Sequence, residues 1–106
     1  MTFKFKKAIW DLYQTYWAFI VCNSNRLALE YRKETNGKLS KDDKLEYQYN
    51  LNCADAYRTE YLAVQKVLEK LFDCKITLKQ ESVSVGGEIV FTYNDRFTKS
   101  VYEVYS

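Results

Sequence analysis

Over the first third of the chain, apolar side chains recur every third or fourth position: Phe5, Ile9, Leu12, Tyr16 and Phe19, then Leu27 and Tyr31. With no Gly or Pro from Lys4 to Glu34, this spacing predicts one long helix. A second stripe, Trp10, Tyr13, Trp17, Val21 and Ala28, is rotated from the first, so the helix is apolar over more than one face and needs two packing partners. Asn23-Ser24-Asn25 places three poor helix formers in its middle, where short polar side chains compete for backbone hydrogen bonds and a kink or break is expected.

Thr35-Asn36-Gly37 supplies a stop, because Asn and Gly tolerate the left-handed conformation that closes a helix. Ser40-Lys41-Asp42-Asp43 supplies the next start: the Ser40 hydroxyl can cap a free backbone N–H, and the two aspartates oppose the positive helix end. The second helix is predicted from about Lys41 to Phe72, with a heptad-like seam of Tyr47, Asn50, Ala54, Tyr57, Tyr61, Val64, Leu68 and Leu71. A connection this short makes the helices antiparallel neighbours, so the seam should pack on the first helix. A homodimer through the same seam is the competing expectation, although Asn50, Ala54 and the tyrosines would make a soft dimer core.

After Asp73-Cys74 the period changes to two. Lys75-Ile-Thr-Leu-Lys alternates, Ser82 to Tyr93 holds a Gly86-Gly87 turn between β-favouring runs, and Thr98 to Tyr105 is β-branched and aromatic. Together these predict a three-stranded meander. The segment from Asn94-Asp95 to Ser106 has a second reading as a short capped helix with Phe97, Val101 and Tyr105 on one face. Either way the tail can cover the second apolar face of the first helix. The expected fold class is α+β: a long antiparallel helical hairpin, about residues 4–73, packed on a small C-terminal antiparallel β-sheet, about residues 75–106.

Composition narrows the functions rather than the fold. The 106 residues make a single domain, 1–106, and 47% hydrophobic with 28% charged residues belongs to a globular chain, not a disordered one. His is absent, which removes the commonest general base and metal ligand and excludes Ser-His and Cys-His nucleophilic sites. Gly86-Gly87 precedes a strand pattern and lacks the Lys-Ser/Thr of a phosphate loop. The pairs Glu30 with Glu34 and Asp42 with Glu46 have basic neighbours beside a loop, an environment of solvated helix faces and not of a catalytic cleft. No catalytic residue, metal site or cofactor is predicted, and the chain is not expected to be an enzyme.

Cys22, Cys53 and Cys74 are odd in number and widely spaced, without a C-x-x-C pair, and read as free thiols in a reducing compartment. Basic residues precede an apolar run at the amino terminus, but Asp11 and Gln14 interrupt it and no small-residue cleavage site follows, so neither secretion nor membrane insertion is expected. The expected location is cytoplasmic.

The net charge of +2 is unevenly spread: +5 over residues 1–41, −3 over 42–73 and zero over 74–106. Lys4, Lys6 and Lys7, interleaved with Phe3 and Phe5, and the group Arg26, Lys38 and Lys41 around the helical turn make the alternative nucleic-acid surface, through phosphate contacts and stacking. Ten tyrosines are the larger excess, and Tyr49, Tyr93, Tyr102 and Tyr105 do not all fit the core faces. Tyrosine offers a rigid contact surface with a polar tip, which binding surfaces favour. The sequence therefore points to a protein-interaction module with Tyr49, Tyr102 and Tyr105 as contact residues and Arg32 and Lys33 as a charged rim. Small stand-alone domains without catalytic groups include phage and mobile-element inhibitors of host proteins, anti-CRISPR proteins among them. The abundance of Lys, Asn and Tyr without Pro suits an AT-rich bacterial or phage genome. That link is an analogy of size and composition.

Overall fold

The computed structural model describes residues 3–98. Helix α1, Phe3–Asn36, and helix α2, Lys41–Leu71, form the antiparallel hairpin, followed by strands β1 (Ile76–Leu78), β2 (Ser82–Val85) and β3 (Glu88–Thr92) and a single turn, α3 (Asp95–Thr98). A helix of this length extends about 50 Å, and α1 accordingly sets the 51 Å long dimension of the molecule.

The predicted punctuation is observed. Gly37 lies at φ 83° and donates its N–H to Lys33 O, ending α1, while Ser40 Oγ accepts from Asp43 N at 3.1 Å and caps α2. Asp73, at φ 48°, turns the chain out of α2. No break occurs at Asn23–Asn25: α1 runs through because the competing side chains are engaged elsewhere. Asn23 Oδ1 accepts from Arg26 at 2.9 Å, and Asn25 Nδ2 reaches Asn50 Oδ1 at 3.4 Å.

The sheet is an antiparallel meander in the order β1-β2-β3. Gly86 and Gly87 both have positive φ, as a two-residue hairpin turn of the primed type requires. An irregularity follows: Val83 pairs with Phe91 but Ser84 pairs with Ile89, so Val90 is an extra residue. The shift leaves Phe91 buried and turns Ile89 to solvent. The edge strand β1 is covered by α2, where Gln65 donates to the carbonyl of Ile76 at 2.8 Å and Glu69 accepts from its amide at 2.9 Å.

The core lies at one end of the hairpin. Phe5, Ile9, Leu12 and Tyr13 of α1, Leu68 of α2, and Ile76, Val83 and Phe91 of the sheet form one buried cluster. Each such side chain contributes roughly 1.5–3 kcal/mol through burial. The sheet takes the second stripe of α1 as expected, with Trp10 edge-on to Phe91 at 5.0 Å between ring centres.

The other half of the hairpin differs from the periodicity reading. Val21, Leu27, Ala28 and Tyr31, assigned to buried stripes, are exposed; Leu29 is buried instead, and so is Leu39 in the connection. Polar pairs cross the helices here: Asn25 with Asn50, the Tyr47 hydroxyl to Glu30 at 2.8 Å, and Arg32 with Asp43 at 3.0 Å. Without a sheet beyond Trp17 to cover a second face, α1 needs only one narrow seam, and its second stripe loses its partner. On α2 the seam residues Asn50, Ala54 and Leu68 are buried and Tyr47, Tyr57 and Tyr61 half-buried, but Val64 and Leu71 are exposed. α1 packs on α2 along part of this seam, leaving Val64 and Leu71 uncovered.

Thr98, the start of the last predicted strand, belongs to α3, the turn that the helical reading of this segment placed here; residues 99–106 lie outside the described part.

Candidate binding surfaces

Opposite its seam, α2 carries a second apolar line. Leu45, Tyr49, Ala56, Ala63 and Val67 recur at spacings of four and seven, with exposed polar Asn52 and Glu60 in the gaps of the same row, and all are exposed, Leu45 at 64%, Tyr49 at 67% and Val67 at 61%. From Leu45 to Val67 the line extends about 33 Å. Tyr49 is thus where the tyrosine argument needs it, off the core and free to be covered. Its phenol is pushed up from its ordinary pKa chiefly by a hydrogen bond with the Cys53 thiol one turn on. Leu45 and Val67 were not singled out from the sequence; they become visible only when the heptad seam is subtracted from the helix and the remaining apolar positions are aligned.

A second feature sits at the turn of the hairpin, where α1, the connection and the first turns of α2 enclose a cavity of about 440 Å³. Leu39, the Tyr47 ring and Gly37 give it an apolar wall, and Lys33, Lys38 and Lys44 place their side chains around it. Glu30 also lines it, with Oε1 already taken by Arg26 at 2.7 Å and by the Tyr47 hydroxyl.

A third cluster lies where α3 meets α1. The Arg96 guanidinium sits 4.6 Å from the Trp17 ring centre, with Tyr93 and Phe97 at 5.8 and 5.4 Å, and its Nε donates to Gln14 Oε1 at 3.2 Å. Such cation–π contacts join this turn to α1. They also account for Tyr93, which packs on Trp17 despite being partly exposed.

The other sequence-derived site residues do not gather into one surface. Arg32 is ion-paired with Asp43, Lys33 and Lys38 line the turn cavity, Lys41 is the exposed first residue of α2, and Arg26 is half-buried against Glu30. Lys4 and Lys7 are exposed and Lys6 half-buried at the far end of α1, about 40 Å from the turn. The two basic groups proposed for nucleic acid are therefore separate. Tyr102 and Tyr105 lie outside the described residues. Among the described residues no helix is long and apolar enough to cross a membrane.

No family model matches the chain, and neither a curated protein nor a solved structure matches it.

Proposed function

We propose that the chain is a non-enzymatic module that binds another protein through the outer face of α2. The observation that carries this reading is the exposed line from Leu45 through Tyr49 to Val67 on a helix whose opposite face is already engaged by α1. Apolar side chains in that arrangement suit a partner's amphipathic helix or a long groove, the helix-in-groove mode of recognition. Tyr49 is the expected anchor, because binding energy concentrates in a few aromatic and Arg residues. Inhibition of a host protein by a phage or mobile-element product is the biological setting suggested by size and composition, an analogy and nothing more. The nucleic-acid alternative is less well supported, since its basic groups sit at opposite ends of α1.

Site-specific photo-crosslinking in the native host tests the reading. A crosslinker at Ala56, in the middle of the line, should give a discrete protein adduct, whereas one at Glu88 on β3 should give none. Adducts to nucleic acid in place of protein, or equal adducts from both positions, would overturn it.

A further inference from the structure

We propose that the cavity at the hairpin turn is a binding site for a phosphate-bearing small molecule, independent of docking on the outer face of α2. The cavity, about 440 Å³, falls within the range of pockets that hold small ligands. Its charge is one-sided. Lys33, Lys38 and Lys44 surround it, and none of the three forms an ion pair among the described residues. The one acid in the lining, Glu30, is matched by Arg26 and holds the Tyr47 hydroxyl through the same oxygen, so it offsets little of that positive field.

The three lysines come from three different segments. Lys33 belongs to the last turn of α1, Lys38 to the connection, and Lys44 to the start of α2. They line one cavity because Gly37 closes α1 and Ser40 opens α2 within a few residues, and Leu39, buried, pins the connection. The positive end of α2 is offset here by the negative end of α1 and by Asp42 and Asp43 in its own first turn, so the lysines are the source of the field. Lysines act as mobile point charges toward phosphate, while the Leu39 and Tyr47 wall offers an apolar surface to the body of an ester. Gln48 also lines the cavity, with its Nε2 already donating to Asn52 Oδ1 at 2.9 Å. Phosphate on an apolar carrier is the ligand chemistry that uses both the lysines and the wall; a free inorganic anion would leave the wall unused.

The test follows backbone amide resonances of the whole chain during titration with ATP, without divalent metal, and separately with inorganic pyrophosphate. ATP should saturate shifts centred on Gly37, Lys38 and Leu39. Replacing one ammonium contact in Lys33→Gln, Lys38→Gln or Lys44→Gln should weaken binding about tenfold. Lys66→Gln, exposed elsewhere on α2, should change it less than about twofold. Pyrophosphate binding more weakly than ATP at the same amides would support a ligand with an apolar body. Absence of saturable shifts, equal loss with Lys66→Gln, or binding only of a 5′-phosphorylated oligonucleotide would each overturn the proposal. All four lysines are exposed, and unchanged thermal melting of each variant separates loss of binding from loss of fold.

Discussion

The hydroxyl of Tyr13 donates to the carbonyl oxygen of Gln80 over 3.0 Å, tying the middle of the core face of α1 to the turn between β1 and β2. The ring is fully buried while its polar tip reaches the turn. One residue thus supplies core packing and fixes how the sheet seats on the helix.

Tyr13 should therefore give graded losses. Tyr13→Phe removes the donor but keeps the ring and should cost about 1 kcal/mol. Tyr13→Ala empties the site and should cost about 3–5 kcal/mol. Urea melts of both variants measure the split, and equal losses would show that the hydroxyl carries the site.

Alkaline pH should destabilise the protein through the same residue. Burial raises the Tyr13 phenol above its ordinary value, and Tyr16 is raised chiefly for the same reason. Above pH about 10 the unfolded chain releases these protons while the folded chain retains them. Stability is thus fully present below that pH and is lost as pH rises toward and through the raised folded-state values. Denaturant midpoints in this window should fall with pH, and fall less steeply in Tyr13→Phe.

Two leucines three residues apart on α2 should behave differently. Leu68 is buried against the sheet end of α1, and Leu68→Ala should cost roughly 2–4 kcal/mol. Leu71, at 69% exposure, and the exposed Lys66 should each stay within about 0.5 kcal/mol on replacement by Ala. Thermal melts distinguish this from a continuous heptad seam, in which Leu71 would cost as much as Leu68.

The register of the hairpin can be trapped chemically. Arg32 with Asp43 and Asn25 with Asn50 are rows of one antiparallel ladder, and the next row holds Cys22 and Cys53. All three cysteines are free thiols, and burial first, then the neighbouring Cys53, pushes the Cys22 thiol up. Oxidation by diamide should join Cys22 to Cys53 and leave Cys74 alkylatable, as peptide mapping would show. A bond to Cys74 would mean that the helices pair in another register.

The outer face of α2 should be dispensable for folding. Tyr49→Ala and Val67→Ala remove exposed side chains and should leave the melting temperature nearly unchanged while abolishing the crosslinked adduct of the Ala56 position. If either variant unfolds the chain, that residue is structural.

Local chemistry was legible in the residue order. Helix ends follow from Gly37 and Ser40, and the hairpin turn from Gly86-Gly87, because caps and tight turns depend on neighbours in the chain. The buried stripe from Phe5 to Leu12 and the exposure of Tyr49 were equally readable, since periodicity separates a packed face from its opposite. Tertiary structure alone decided that Val21, Leu27, Ala28 and Tyr31 are exposed and that α1 continues through Asn23–Asn25. Apolar spacing marks what a helix could bury but not how far its partner reaches, and here the sheet ends near Trp17. The turn cavity likewise needed three dimensions. Lys33, Lys38 and Lys44 belong to different segments, and only the closing of the hairpin over Leu39 brings their charges around one space.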